Sequence, residues 1–174
     1  MTIWTIGHST HPAGQFVSLL TAHGIEHVAD IRTVPRSRRN PQFNTDTLPH
    51  TLAAHHIGYA HLAGLGGLRH PRKDSINSAW RNDSFRGYAD YMQTTEFDRH
   101  LAELIAVART QRTAIMCAES VPWRCHRSLV ADALTARGID VRHILSATAQ
   151  PKPHQITPFA RIDGERVTYP GVLG

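Results

Sequence analysis

A three-layer α/β fold, with a mainly parallel sheet and helices on both faces, is predicted for this chain by three observations. Short hydrophobic β runs alternate with apolar helical segments up to about residue 145, and that alternation marks βαβ units. No internal repeat or low-complexity tract interrupts the order. The length of 174 residues is one ordinary domain, enough to bury a proper core.

Each element has its own signal. Residues 3–6 are a β run ending in Gly7-His8-Ser9-Thr10. Phe16, Val17, Leu19 and Leu20 have helical spacing up to His23-Gly24, a C-terminal stop. Residues 27–31 form a second strand. Residues 45–56 read as a helix closed by Gly58, with Pro49 in its first turn or so, and 58–62 as a weaker third strand. The stretch 65–82 is rich in Gly, Pro and charge and reads as an irregular excursion. A short helix covers 85–92. Thr95 is placed to cap a longer helix with Phe97, Leu101, Leu104, Ile105 and Ala108 on one face. Residues 113–116 are the fourth strand. A helix over 126–137 turns Leu129, Val130, Ala133 and Leu134 inward and stops at Gly138, and 141–145 is the last core strand. Beyond Gln150 come Pro151, Pro153, Pro158 and Pro170, and Asp163-Gly164 between short alternating runs predicts a small hairpin appendage. The expectation is a single α/β domain over 1–149, with 150–174 a tail packed on the same domain.

Composition narrows the functional classes. Hydrophobic residues are 41% and charged residues 19% of the chain, as in soluble globular proteins. No apolar run approaches the ~20 residues of a membrane span, and Met1-Thr2-Ile3-Trp4 lacks the positive start of an export signal. The two cysteines are therefore expected as reduced thiols in the cytoplasm. The formal charge is +5, with 13 histidines besides, which favours an anionic small molecule or a nucleic acid as partner and no membrane. Arg32, Arg36, Arg38 and Arg39 crowd one proline-bearing loop, and Arg69, Arg72 and Lys73 another. A Walker-type loop and a Gly-x-Gly-x-x-Gly fingerprint are both missing, so nucleoside triphosphate or dinucleotide binding of the usual kinds is unsupported. The cysteines lack the second Cys/His pair of a structural zinc site, and a mixed site from Cys117, Cys125, His126 and His8 ranks below scattered histidines. Neither metal nor other cofactor is expected.

In open α/β sheets ligands bind beyond the carboxyl ends of the strands. Those ends present His8 and Ser9 after the first strand, Asp30 and Arg32 after the second, and Cys117 and Glu119 after the fourth, with Cys125, His126 and Arg127 opening the next helix. The segment 117–127 holds both cysteines, an acid, a histidine and two arginines. These groups are expected around one crevice.

The ordered set Thr5-Ile6-Gly7-His8-Ser9, Asp30-Ile31-Arg32 with Pro35 and Ser37, Leu65-Gly66-Gly67, Phe85 to Tyr91 with Thr95-Glu96-Phe97, and Cys117-Ala118-Glu119 with Cys125-His126-Arg127 resembles the bacterial family called "domain of unknown function 488", over roughly residues 3 to 145. The resemblance implies an intracellular α/β domain whose motif residues cluster, and no established activity.

The chemistry of the groups suggests roles. Cys117 is a nucleophile if neighbouring Arg or His⁺ lowers its pKa, and otherwise a small buried hydrophobe. Glu119 is a general acid or base, or one half of an ion pair, and His8 completes the catalytic candidates. Ser9, Asp30, Arg32, Cys125, His126 and Arg127 are candidate substrate-binding residues, the last two in a helix's first turn where anions are favoured. Arg32 suits bidentate binding of a phosphate or carboxylate, and Asp30 suits orienting a neighbour. Gly7 and Gly66-Gly67 allow close backbone approach or tight turns. Arg36, Arg38 and Arg39, with Trp123, are candidate nucleic-acid contacts. Three classes follow: an enzyme acting on an anionic substrate, a non-catalytic nucleic-acid-binding module, and a thiol or metal sensor. Cys117 is expected to be the functional thiol and Cys125 the supporting one.

Overall fold

A computed structural model describes residues 1–171 of the chain; the last three residues of the expected tail lie outside the described residues. The alternating pattern forms β1 (Thr2–Gly7), α1 (Ala13–Ala22), β2 (His27–Asp30), α2 (Leu48–Ala53), β3 (Gly58–His61), α3 (Asp83–Met92), α4 (Thr95–Ala108), β4 (Thr113–Cys117), α5 (Arg127–Ala136) and β5 (Asp140–His143). After them come the short β6 (Lys152–Pro153) and an antiparallel hairpin, β7 (Arg161–Asp163) and β8 (Arg166–Thr168). One sheet runs in the order β3-β2-β4-β1-β5-β6. Its first five strands are parallel, and β6 lies antiparallel on β5.

Side chains that alternate along the strands feed two cores. Trp4, Ile6, Val28, Ala114 and Met116 pack with Phe16, Leu20, Leu48 and Leu52 of α1 and α2 on one face. Ile3, Ala29, Ile31, Ile115 and Val141 pack with α3, α4 and α5 on the other. In α4 the buried residues are Phe97, Leu101, Leu104, Ile105 and Ala108, the stripe read from the sequence.

Several boundaries differ from the expectation. The helix expected over 45–56 is only Leu48–Ala53, because Pro49 is tolerated only in a first turn. It closes at His56, which takes a left-handed φ of 60°, and not at Gly58. Gly58 instead opens β3, where a Cβ would meet the His27 ring at 2.7 Å. The cap of α4 is Thr94, whose hydroxyl accepts from Phe97 N, and not Thr95. Asn82 caps α3 in the same way. The last core strand ends at His143, two residues short of the expected 145. The edge strand β6 escaped sequence reading because two residues carry no periodicity.

In the 150–171 segment the buried Asp132 carboxylate of α5 accepts from His154 Nε2 (2.7 Å), Thr157 Oγ1 (2.7 Å), Thr157 N (3.1 Å) and Tyr169 Oη (2.7 Å). His143 joins His154 at 2.9 Å. No helix of the described residues is long and apolar enough to cross a membrane.

Candidate functional site

β1 and β4 are neighbours in the sheet, but α1 leaves β1 toward one face and α5 leaves β4 toward the other. Loops that diverge from adjacent strands open a crevice at the carboxyl edge. A pocket of about 480 Å³ lies there, within the usual range for small-molecule sites. Its lining comes from Arg32, Thr33 and Val34 after β2, Gly67 and Leu68, Asn82, Ser84 and Phe85 around the start of α3, and Cys117, Ala118, Glu119, Arg124, Cys125 and His126 between β4 and α5.

The two cysteines form its floor, both buried and both free. As a thiol, Cys117 donates to the Glu119 carbonyl at 3.4 Å. Burial pushes its pKa up, but donation from the Cys125 thiol, the Arg127 charge and the Glu119 backbone together hold it below its ordinary value of 9.0. Cys125 moves the opposite way, raised far above the usual thiol range, first by its bond to Cys117 and then by burial. The pair therefore ionises at Cys117, with the proton left on Cys125. The α5 terminus steadies Cys125, whose sulfur accepts from Arg127 N at 3.5 Å and lies 3.4 Å from His126 Nδ1.

Arg127 has no exposed surface at all. Its Nη2 donates to Ser120 O at 3.1 Å, while Nε and Nη1 are buried without a protein acceptor. His126 donates from Nε2 to Ile31 O at 2.9 Å, and burial lowers its pKa to about 4, so the ring is neutral at pH 7.

A second group of residues fixes the β2 side. Asp30 is fully buried and grips Arg32 through Nε–Oδ1 at 2.9 Å and Nη2–Oδ2 at 2.7 Å. Arg32 Nη2 also donates to Phe43 O, and Tyr59 Oη donates to Asp30 Oδ2. Arg32 Nη1 faces His8 Nε2 at 3.3 Å, His8 Nδ1 donates to Ser9 O at 2.7 Å, and the His8 ring stacks on Phe43. Burial lowers the His8 pKa to about 4 and leaves it neutral, so both ring nitrogens are occupied. The arginine's charge is compensated by Asp30 before any ligand arrives.

The glycines serve packing of the protein on itself. A Cβ on Gly7 would sit 1.7 Å from Glu119 O, on Gly66 2.5 Å from Thr33 Oγ1, and on Gly67 2.6 Å from His126 Nδ1. They let the β1, β3 and β4 loops close over one another.

A family model described as "Domain of unknown function DUF488" matches residues 12–134. The chain belongs to this family. Comparisons with curated proteins and with solved structures give no match. The matched stretch begins at α1 and ends inside α5, so it takes in both cysteines, Asp30, Arg32, Glu119, His126 and Arg127, while His8 and Ser9 precede it.

Within this DUF488 chain the candidate residues fall into three settings. Arg32, Cys117, Glu119, Cys125 and His126 line the pocket. His8, Ser9, Asp30 and Arg127 stand behind that lining: Ser9, at a left-handed φ of 48°, donates its N–H to Ala118 O, and Asp30 holds Arg32 from below. Arg36, Arg38 and Arg39 are exposed on the loop after β2. Glu119 is exposed, and among the described residues it makes no ion pair with Arg32 or Arg127. Among the described residues no three His, Cys, Asp or Glu side chains stand together as around a metal ion. Tyr59, Phe43, Asn82 and Ser84 were missed; a tyrosine on a weak strand and polar residues in an irregular stretch give no signal. Arg124 was within reach, inside the 117–127 run, and is exposed at the pocket mouth.

Proposed function

We propose that this chain is an enzyme that uses the Cys117 thiolate as a nucleophile on an anionic, phosphate-bearing substrate. The setting of Arg127 carries this reading. A guanidinium taken wholly out of water needs a negative charge and acceptors beside it, yet it keeps one protein hydrogen bond. Asp132, on the same helix, has both carboxylate oxygens engaged by His154, Thr157 and Tyr169. The Cys117 sulfur feels the Arg127 charge, and as a thiolate it neutralises it. A thiolate supplied in this way needs no separate general base.

The rest of the pocket fits a two-step displacement. The sulfur bonds to the electrophilic centre, and the bond to the leaving group breaks with its electron pair. Water then attacks that centre, breaks the bond to sulfur and restores the thiolate. Glu119, solvent-exposed on the same wall, is the group positioned to move the proton in each step. Arg124 supplies uncompensated positive charge at the mouth. His8 and Asp30 act through Arg32, holding its guanidinium in place, and Cys125 holds the proton of the thiol pair.

The test is alkylation of the native protein with iodoacetamide across pH, followed by peptide mapping. Cys117 is expected to be modified first, and below pH 9, and millimolar phosphate or sulfate to slow it and to raise Tm. Modification of Cys125 first, or of neither thiol before unfolding, overturns the nucleophile. No protection and no thermal shift overturns the anionic substrate.

A further inference from the structure

We propose that the substrate is a single-stranded nucleic acid, and that a base next to the reacting nucleotide stacks in a second crevice walled by Trp80 and Trp123. The inference deepens the preceding reading by naming the substrate class. A second cavity of about 310 Å³ lies beside the thiol pocket, with Trp80, Trp123, Leu145 and Lys152 in its lining. The two linings draw on neighbouring residues of the same two segments. Pro122 and Trp123 face one side while Arg124, Cys125 and His126 face the other, and Trp80 lies on one side while Asn82, Ser84 and Phe85 lie on the other. The divider is the short 3-10 turn Pro122–Arg124, so an indole and a guanidinium alternate along one ridge.

Strand order sets these features in a line. The Arg36-Ser37-Arg38-Arg39 loop follows β2, the ridge follows β4, and Leu145 and Lys152 stand at β5 and β6. Crossing from β2 past β4 and β1 to β5 is three strand spacings, about 14 Å, a span longer than one nucleotide. Arg36, Arg38, Arg39 and Arg124 are exposed, and among the described residues none of them takes part in an ion pair. The indoles suit planar rings. Trp80 packs against Phe85, Phe159 and Tyr169 at 4.9, 4.8 and 5.6 Å between ring centroids, and its buried Nε1–H has no protein acceptor. Trp123 is 65% exposed, an open aromatic face next to Arg124. Bases that stack on indoles between phosphates held by arginines are how single strands bind without sequence readout. An acidic peptide would satisfy the arginines and leave the indole faces unused.

The test uses fluorescence anisotropy of labelled oligo-dT and oligo-U 12-mers with the full chain, across a salt series. Binding is expected at low salt, with quenching of tryptophan emission. Trp123→Ala should weaken it roughly ten-fold or more. The triple variant R36Q/R38Q/R39Q should flatten the log K against log salt slope by about 2, at ~0.7 per phosphate contact on single strands. Strand binding is read by anisotropy and thiol reactivity by alkylation of the same unsubstituted protein, so the two are read separately. No binding at low salt overturns the inference. So does competition by polyphosphate or poly-glutamate as strong as by oligonucleotide, combined with no effect of Trp123→Ala. Oligonucleotide binding by a protein whose Cys117 proves inert sustains the strand site and removes the nucleophile.

Discussion

Replacing Cys117 with Ser tests whether a thiolate neutralises Arg127. Arg127 is fully buried on α5, with one hydrogen bond to Ser120 O and two N–H positions lacking protein acceptors. A serine hydroxyl stays neutral at any ordinary pH, so the substitution leaves a buried guanidinium without its counter-charge. Removing one partner of a buried ion pair costs about 3–5 kcal/mol, well above the ~1 kcal/mol of a typical substitution. For a chain of this size that is a Tm fall of roughly 6–20 °C. The deficit has a defined pH course. The folded pKa of Cys117 is depressed below 9.0. The thiolate therefore stabilises the fold fully above about pH 9, and this contribution fades as pH falls through the folded pKa. Urea unfolding of wild type and Cys117→Ser across pH 6–9 should show the two curves diverging as pH rises. Arg127→Met in the Cys117→Ser background should recover most of the loss, because an apolar side chain of similar length removes the stranded charge. Curves that stay parallel across that pH range, or simple additivity of the two substitutions, refute the coupling.

Three further outcomes follow from the same geometry. His8, His126 and His143 are held neutral by burial, with pKa values of about 4, 4 and 3; the unfolded chain protonates them near 6.5 while the folded chain does not, so stability should fall with acid by about 4 kcal/mol per pH unit between roughly pH 6 and 4.5, and urea midpoints that stay level over that window would contradict it. Gly7→Ala drives a Cβ to 1.7 Å from the Glu119 carbonyl, and calorimetry should show a loss of about 1–3 kcal/mol or more together with altered Cys117 alkylation; an unchanged Tm would mean that the 117–120 loop moves freely. Asp132→Asn weakens all four hydrogen bonds gathered on that carboxylate, so amide exchange over 152–169 should quicken while the β1 and β4 amides hold, at about 3 kcal/mol of local stability; unchanged exchange there would show that other contacts hold the segment.

The carboxyl-edge location of the candidate residues was legible because it depends on chain order alone. Strands that alternate with helices become parallel, right-handed crossovers put their outgoing loops on one edge, and Cys117, Glu119, Arg32 and His8 are residues of those loops. Which of these groups retains free chemical capacity was not legible. Arg32 and Asp30 sit two apart on one strand end, which suggests alignment, but the sequence does not say that they consume each other or that Tyr59 and His8 complete the cage. Gly7 suggested a turn or a ligand, and its neighbour is the Glu119 carbonyl from a strand more than a hundred residues away.

The sequence by itself determined what local periodicity and composition control: the parallel α/β class, the buried stripe of α4, the hairpin at Asp163-Gly164, and the gathering of charge and sulfur in 117–127. Tertiary structure alone decided the insertion of β4 between β1 and β2, which makes the crevice, and the complete burial of Arg127 with one hydrogen bond to Ser120 O. It also brought Trp80, Trp123 and Lys152 around one cavity. The physical reason is range. Helix and strand signals act over a few residues, whereas desolvation and charge pairing depend on which distant segments exclude water together, and those effects set the ionisation of Cys117.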